Sequence, residues 1–211
     1  MKKTIFTAFA LGAMVLAGCT KVETVDVPES RAIAFDNFVI NSVKSLDNES
    51  LTKFYVYGSY GDGTGTAIFI NEEVTKNEGQ WIYSPARYWD TDNTGYKFAA
   101  YSDNNSNLGT IDTENEDVTY NHTTGHLTIK DFPKTDRNLT KDDDLIYAFA
   151  NNGGNGFDGA THPENVQFEF KHILSHVTFN FIKAADLNGV NLKISNISVN
   201  VDKQGTFRKV L

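Results

Sequence analysis

The residues of this chain with the most chemical potential are its histidines, its clustered aspartates and one cysteine. His172 and His176 stand four apart. On a helix they would share a face and could begin a metal site. On a strand they would lie ~13 Å apart, too far for one zinc ion. His122 and His126 flank a turn and could approach each other, yet no third ligand accompanies them. Asp90-Thr-Asp92-Asn-Thr94-Gly95 opens like a calcium loop. The twelfth position of such a loop should be a bidentate Glu, and here it is Tyr101, so the stretch reads as a hairpin turn. Asp62 and Asp142 to Asp144 read as solvated turn carboxylates rather than a calcium site. The glycines of Gly61-Asp-Gly-Thr-Gly-Thr66 alternate, and the GxxxxGK[ST] spacing of a phosphate loop is missing. Ser, His and Asp all occur, but no GxSxG elbow does. Two acids could meet in space for glycoside hydrolysis, but no spacing singles out a pair. The expectation is a chain that is not an enzyme, with no metal site and no cofactor.

The cysteine is different. Cys19 is the only one in the chain, and it closes the stretch MKKTIFTAFALGAMVLAGC. Lys2 and Lys3 give a basic start, Ile5 to Leu16 an apolar run, and small residues follow, which is the layout of a secretory signal peptide. The run is too short to span a membrane, which takes ~20 apolar residues. Leu16, Ala17 and Gly18 before Cys19 match the lipobox of bacterial lipoproteins. That match implies lipidation of the Cys19 thiol, cleavage before it, and acylation of the new amino terminus with fatty chains such as palmitate. Several chains hold a protein at a membrane where one binds only marginally. The plainer reading is an ordinary signal peptide with a chance cysteine. With no second cysteine, the exported part can form no intrachain disulfide.

The formal charge is −8, from 19 basic and 27 acidic side chains. Removal of residues 1–18 takes Lys2 and Lys3 and makes the balance more acidic. An acidic surface is repelled by nucleic acid, so DNA and RNA are excluded as partners. Fifteen Phe, nine Tyr and two Trp stand among many polar turn residues, with four prolines. This composition suits short strands joined by turns.

The elements that must position these residues follow from period-two patterning. Residues 1–18 form the signal peptide and 19–31 a polar tether or pro-segment, and 32–211 form the folded domain. Strands are expected at Ala32 to Ile40, Phe54 to Tyr60, Ala67 to Ile70, Gln80 to Tyr83, Gly95 to Tyr101, Asp117 to Tyr120 and Leu127 to Phe132. Leu145 to Ala150 is nearly all apolar, as in a strand buried on both faces. Residues 151–160 read as a flexible glycine loop. In VQFEFKHILSHVTFNFI, Val166, Phe168 and Phe170 share one parity and Val177, Phe179 and Phe181 the other. One uniform strand cannot bury both sets, so the chain must break near 171–175, with phenylalanines buried on both sides. Only Ser42 to Leu51 and Ala184 to Leu187 look briefly helical. The fold class is all-β, a two-sheet sandwich with Greek-key connections. Trp81 to Trp89, WIYSPARYW, carries four aromatics; they could form a sugar platform, but a role in the core and its rim is the expectation.

Four stretches in order resemble the fimbrillin family (Mfa-like) of Bacteroidota type V pili: W81-I-Y-S-P-A-R-Y-W89, Y96-K-F-A-A-Y101, D144-L-I-Y-A148 and F168-E-F-K-H-I-L-S-H-V-T-F179. The resemblance covers the chain to about Phe207 and corresponds to the family's N-terminal domain. It implies a transthyretin-like sandwich, export as an outer-membrane lipoprotein, and a structural or accessory role in a cell-surface fimbria that supports adhesion. It also implies assembly by strand exchange, in which an Arg-specific protease cuts near the mature start and a neighbouring subunit adds a strand. Arg31–Ala32, in the polar stretch PESRAIAF, is the candidate processing bond. Family members usually carry a second sandwich and a donor strand; here the second domain is apparently absent. The alternative is a surface lipoprotein that binds a glycan or host protein without polymerising.

The lipobox reading is testable. Cys19→Ser should abolish incorporation of labelled palmitate and release the protein from the membrane fraction. Retention of label and of membrane pelleting would refute it.

Overall fold

The computed structural model describes residues 31–39, 46–61, 64–103, 117–132 and 144–175, with 179–182, 189, 191, 193, 195, 198 and 205–210. It is all-β, with two sheets. The strands are β1 (Phe35–Val39), β2 (Lys53–Tyr60), β3 (Thr66–Asn77), β4 (Gln80–Ile82), β5 (Thr94–Ser102), β6 (Val118–Asn121), β7 (His126–Phe132), β8 (Ile146–Ala150), β9 (Phe157–Asp158), β10 (Val166–His172) and β11 (Gly205–Val210). The larger sheet runs β1-β10-β8-β5-β2-β3-β4, with β9 added to β5, and the smaller runs β11-β7-β6.

Alternation along β2 explains the layering. Phe54 and Val56 point into one core, Tyr55 and Tyr57 toward the other. β5 and β8 divide in the same way: Phe98 and Ala100 against Ala99 and Tyr101, then Ile146 and Ala148 against Tyr147 and Phe149. The three middle strands are therefore packed on both faces. The first core is phenylalanine-rich. Phe35 lies 5.3 Å from Phe69 and 5.6 Å from Phe168, and Phe54 lies 5.4 Å from Phe170, within the usual range for ring pairs. The sheet curls around it until β4 meets β1, where Trp81 Nε1 donates to Asn37 Oδ1 at 2.8 Å. A side chain at position 58 would end this packing, since a Cβ on Gly58 would sit 2.7 Å from a ring carbon of Phe98.

The second core lies between the outer face of β2, β5 and β8 and the smaller sheet. Val118, Tyr120, Leu127, Ile129 and Phe132 supply the other half. Tyr57 reaches across to donate from its hydroxyl to Val118 O at 3.0 Å, and Ser59 Oγ donates to His122 O at 3.2 Å. Burial pushes the Tyr57 and Tyr120 hydroxyls up to about 12, and pushes Tyr101 up as well.

Most expected strands are present, and the double burial of Leu145 to Ala150 is observed. The aromatics of Trp81 to Trp89 mostly pack in and around the core: Trp89 is buried, Trp81 and Tyr83 are half-buried, and Tyr88 faces solvent. Four expectations need correction. β3 runs on to Asn77, through the polar stretch NEEVTKN, because main-chain pairing with β2 and β4 holds it without apolar alternation. Residues 151–160 are not a slack loop. Asn151 O accepts from Gly154 and Gly156, β9 pairs with β5, and a Cβ on Gly156 would sit 2.6 Å from Gly95 Cα. The glycines there serve close approach. Asp144 is not solvated: it is 1% exposed, accepts from Leu145 N and pairs with His172 Nδ1 at 2.6 Å.

The fourth correction concerns Phe179 and Phe181, which are each 57% exposed, as Ile182 is 91%. Residues 179–182 are not in a strand. β10 ends at His172, and Ile173 N then donates to Leu145 O at 2.8 Å. Ile173, Leu174 and Phe207 pack against the second core, with the Phe207 ring 4.6 Å from Tyr147. Phe179 and Phe181 join neither core. Of the two brief helical stretches, residues 46–51 form a turn closed by Leu51 N to Asp47 O. Residues 42–45 and 184–187 lie outside the described residues.

Two measurements follow. In urea unfolding, Phe168→Ala should cost ~3–5 kcal/mol, as for a buried aromatic, while Phe179→Ala should cost less than ~1 kcal/mol. Equal losses would place Phe179 in the core. In alkali, Tyr57 and Tyr120 have folded pKa values above the unfolded value. Their stabilisation is therefore fully present below about pH 10 and is lost as the pH rises through about 12. Absorbance titration of the tyrosines should show a late-ionising group that becomes normal in urea.

Candidate functional site

Arg31 and Ala32 enter the fold along the segment that ends at Trp89. Arg31 O accepts from Trp89 N at 2.9 Å, and Arg31 Nη2 donates to Trp89 O at 2.8 Å. Ala32 forms an antiparallel bridge with Tyr88. Ile33 N donates to Arg87 O at 2.8 Å, and Tyr83 donates its hydroxyl to Ile33 O at 2.7 Å. Ile33 is fully buried, so the bridge is nailed to the first core by an apolar side chain. The Arg31–Ala32 bond is thus held in main-chain pairing rather than on a free linker. Arg87, the next arginine, is also tied down: it donates to Ile68 O and Pro85 O and pairs with Glu72 at 3.3 Å.

Trp89 connects this fastening to a cleft. Its ring stacks on His162 at 5.0 Å and 5°, and stands 6.2 Å from Phe157. Phe157 and Pro163, next to His162, line a cleft of about 430 Å³, with Phe149, Asn151, Asn165 and Phe168. The cleft lies beside a break in strand pairing. β10 pairs with β8 at only two positions, Lys171↔Tyr147 and His172↔Ile146. On its other edge Val166 to Phe170 pair with β1 in parallel. Among the described residues Ala148–Ala150 have no ladder partner on the β10 side, although the two strands remain neighbours. Such a break offers main-chain groups beside apolar side chains, which is what an added extended segment needs.

The remaining residues with chemical promise are not drawn together. His172 is occupied with Asp144, and His176 lies outside the described residues. His126 Nδ1 lies 2.6 Å from Thr124 Oγ1, while burial lowers the pKa of His122, half-covered by Tyr120. Asp90 uses both carboxylate oxygens to brace its own turn, accepting from Asp92 N and Asn93 Nδ2. No group of three potential metal ligands occurs among the described residues. Cys19 and residues 22–27 also lie outside the described residues. Sequence reasoning missed the cleft. The one signal was Phe157, a lone aromatic in a glycine run.

The fimbrillin-like family pattern matches residues 43–209. No curated protein matches the chain. Among solved structures, the crystal structure of a fimbrial protein from Bacteroides vulgatus is similar, with 20% identity and a TM-score of 0.42. The match covers 67% of this chain and 45% of that one, so this chain spans less than half the length of that protein. With its match over 43–209, the chain belongs to the fimbrillin-like family.

Proposed function

We propose that this chain is a structural or accessory subunit of a cell-surface fimbria, assembled by strand exchange and supporting adhesion. Family membership supports a place at the cell surface in association with other fimbrial subunits. The finer reading is our own. The chain is exported as an outer-membrane lipoprotein through Cys19, residues 19–31 serve as tether and pro-segment, and 32–211 form the folded part.

The observation that carries strand exchange is the gap between β8 and β10, close to the point where Arg31 is fastened. A three-residue connector spans at most ~10 Å. Residues 28–30 could therefore bring the β-branched stretch Val22 to Val27 toward that gap in the uncut precursor. There it would shield an edge that otherwise invites aggregation. Cleavage at Arg31–Ala32 would detach this cover and the lipid together. A segment from a neighbouring subunit would then take its place, with main-chain hydrogen bonds giving affinity and alternate side chains meeting a lining that mixes Phe149 and Phe157 with Asn165, Gln167 and Glu169.

The fastening of Arg31 adds a requirement. A protease needs its substrate extended and free, so residues 31–33 must first be drawn off Trp89 and Arg87, or be cut before they dock.

Protein from purified fibres should begin at Ala32 if the cut occurs, and at an acylated Cys19 if the chain is instead an uncut anchor. Arg31→Ala should reduce its incorporation. Fibres of normal length and abundance, with this chain present in its usual amount, would remove the need for the cut. Residues 31–33 are held by two main-chain bonds and two from side chains, Arg31 to Trp89 O and Tyr83 to Ile33 O. Proteolysis of the folded precursor by an Arg-specific protease should therefore be slow and speed up in sub-denaturing urea. Immediate cleavage without denaturant would mean that the fastening opens freely.

A further inference from the structure

A second cleft lies on the opposite side of the smaller sheet from the second core, and we infer that it binds a carboxylated sugar residue, the acidic unit of a glycan, with Arg208 taking the carboxylate. The inference does not depend on strand exchange.

The geometry comes from alternation. Tyr120, Leu127 and Ile129 point inward and are buried, so Thr119, Asn121, His126 and Thr128 lie on the outer face. The register places Thr119 opposite Thr128, Thr128 opposite Arg208, and Asn121 opposite His126. One row across three strands is thus hydroxyl, hydroxyl, guanidinium, with an amide and an imidazole on the next row. Thr124 from the turn adds a third hydroxyl beside His126. Together these six residues line a cleft of about 490 Å³, the volume of a small-ligand site. The turn above it is fixed, because Asn121 Oδ1 accepts from both Thr123 N and Thr124 N.

The electrostatics select the ligand. The chain carries a net charge of −8, yet among the described residues no carboxylate lines this cleft. Arg208 is exposed and has no ion pair among the described residues. A guanidinium fork matches a carboxylate in two parallel bonds. Threonine hydroxyls both donate and accept, and Asn121, whose Oδ1 is taken by its own turn, keeps Nδ2 as a donor, which suits the hydroxyls of a sugar ring. Strand propensity alone would account for outward threonines, but not for an arginine, a histidine and an amide gathered around them without an acid. A phosphate is usually cradled by several cations or by successive main-chain N–H groups, and a peptide needs apolar anchors; among the described residues this lining has one arginine, and its one aromatic, Tyr120, is buried in the second core.

The test uses the full chain and three probes: glucuronate, glucose and inorganic phosphate, titrated by calorimetry or saturation-transfer NMR. Glucuronate and glucose share a ring and differ at the carboxylate. Glucuronate should bind in the millimolar range, and glucose at least about tenfold more weakly, in line with loss of a charged hydrogen bond. Arg208→Ala should remove this preference. Thr128→Val, which keeps the strand shape, should weaken glucuronate a few-fold with unchanged melting temperature. Equal binding of glucose and glucuronate, tighter binding of phosphate than of glucuronate, unchanged binding by Arg208→Ala, or no binding of glucuronate would each overturn the assignment.

Discussion

Burial of the central strands on both faces is the constraint on which this fold depends. β2, β5 and β8 present one row of side chains to each core, so a one-residue slip would exchange the two rows. The rows differ in kind. The first core takes Phe54 and Phe98, which need no polar partner, with Tyr96 at its edge, where the hydroxyl accepts from Asp90 N. The second takes Tyr57 and Tyr101, whose hydroxyls are satisfied by Val118 O and Asn71 Oδ1. Exchange would bury tyrosine hydroxyls among phenylalanines without acceptors, at a cost of about 1–3 kcal/mol each. The chemistry of the rings therefore sets register as well as packing, and the empty position at Gly58 keeps the faces apart where the rings of Phe69 and Phe98 crowd in.

The strands that carry this constraint were legible in the sequence, because period two is a local signal. FYVYGSY, GYKFAAY and LIYAFA announce themselves, and the double burial of the last follows from its unbroken apolar run. What was not legible depended on tertiary choice. Val177, Phe179 and Phe181 have the same alternation as Val166, Phe168 and Phe170, yet Phe179 and Phe181 lie in solvent. Nothing local separates them. Ile173, Leu174 and Phe207 reach the second core in their place, and Phe207 comes from far along the chain. Likewise, NEEVTKN joins β3 chiefly through main-chain pairing, with Val74 its one buried apolar residue, and so polar a strand gives periodicity little to read.

The candidate site was legible in pieces and not as a place. Arg31 stood out as the first arginine, and WIYSPARYW as an aromatic cluster. Their meeting did not, because the bridge between Ala32 and Tyr88 joins residues 56 apart. The cleft beyond Trp89 was hidden for another reason: it lies where the pairing of β10 with β8 stops, and a break in pairing leaves no mark in a strand's own alternation.

That break in pairing links the structure to the proposed assembly. β10 serves two pairings with one strand: its first five residues lie beside β1, and its last two hold β8. A strand has two hydrogen-bonding edges, so its pairing with β1 does not by itself open the β8 side. β10 holds β1 on one edge, and with it the Arg31 fastening at the chain's entry, while on the other edge its pairing with β8 stops at Lys171. On the proposed reading these are two parts of one arrangement, since the element that holds the covering segment's root also keeps open the place that a neighbour's strand would fill. An edge of this kind is a liability in an isolated molecule. In a subunit built to be joined, the same unpaired main chain is the means of joining, and the phenylalanines of the lining decide which side chains can follow it in.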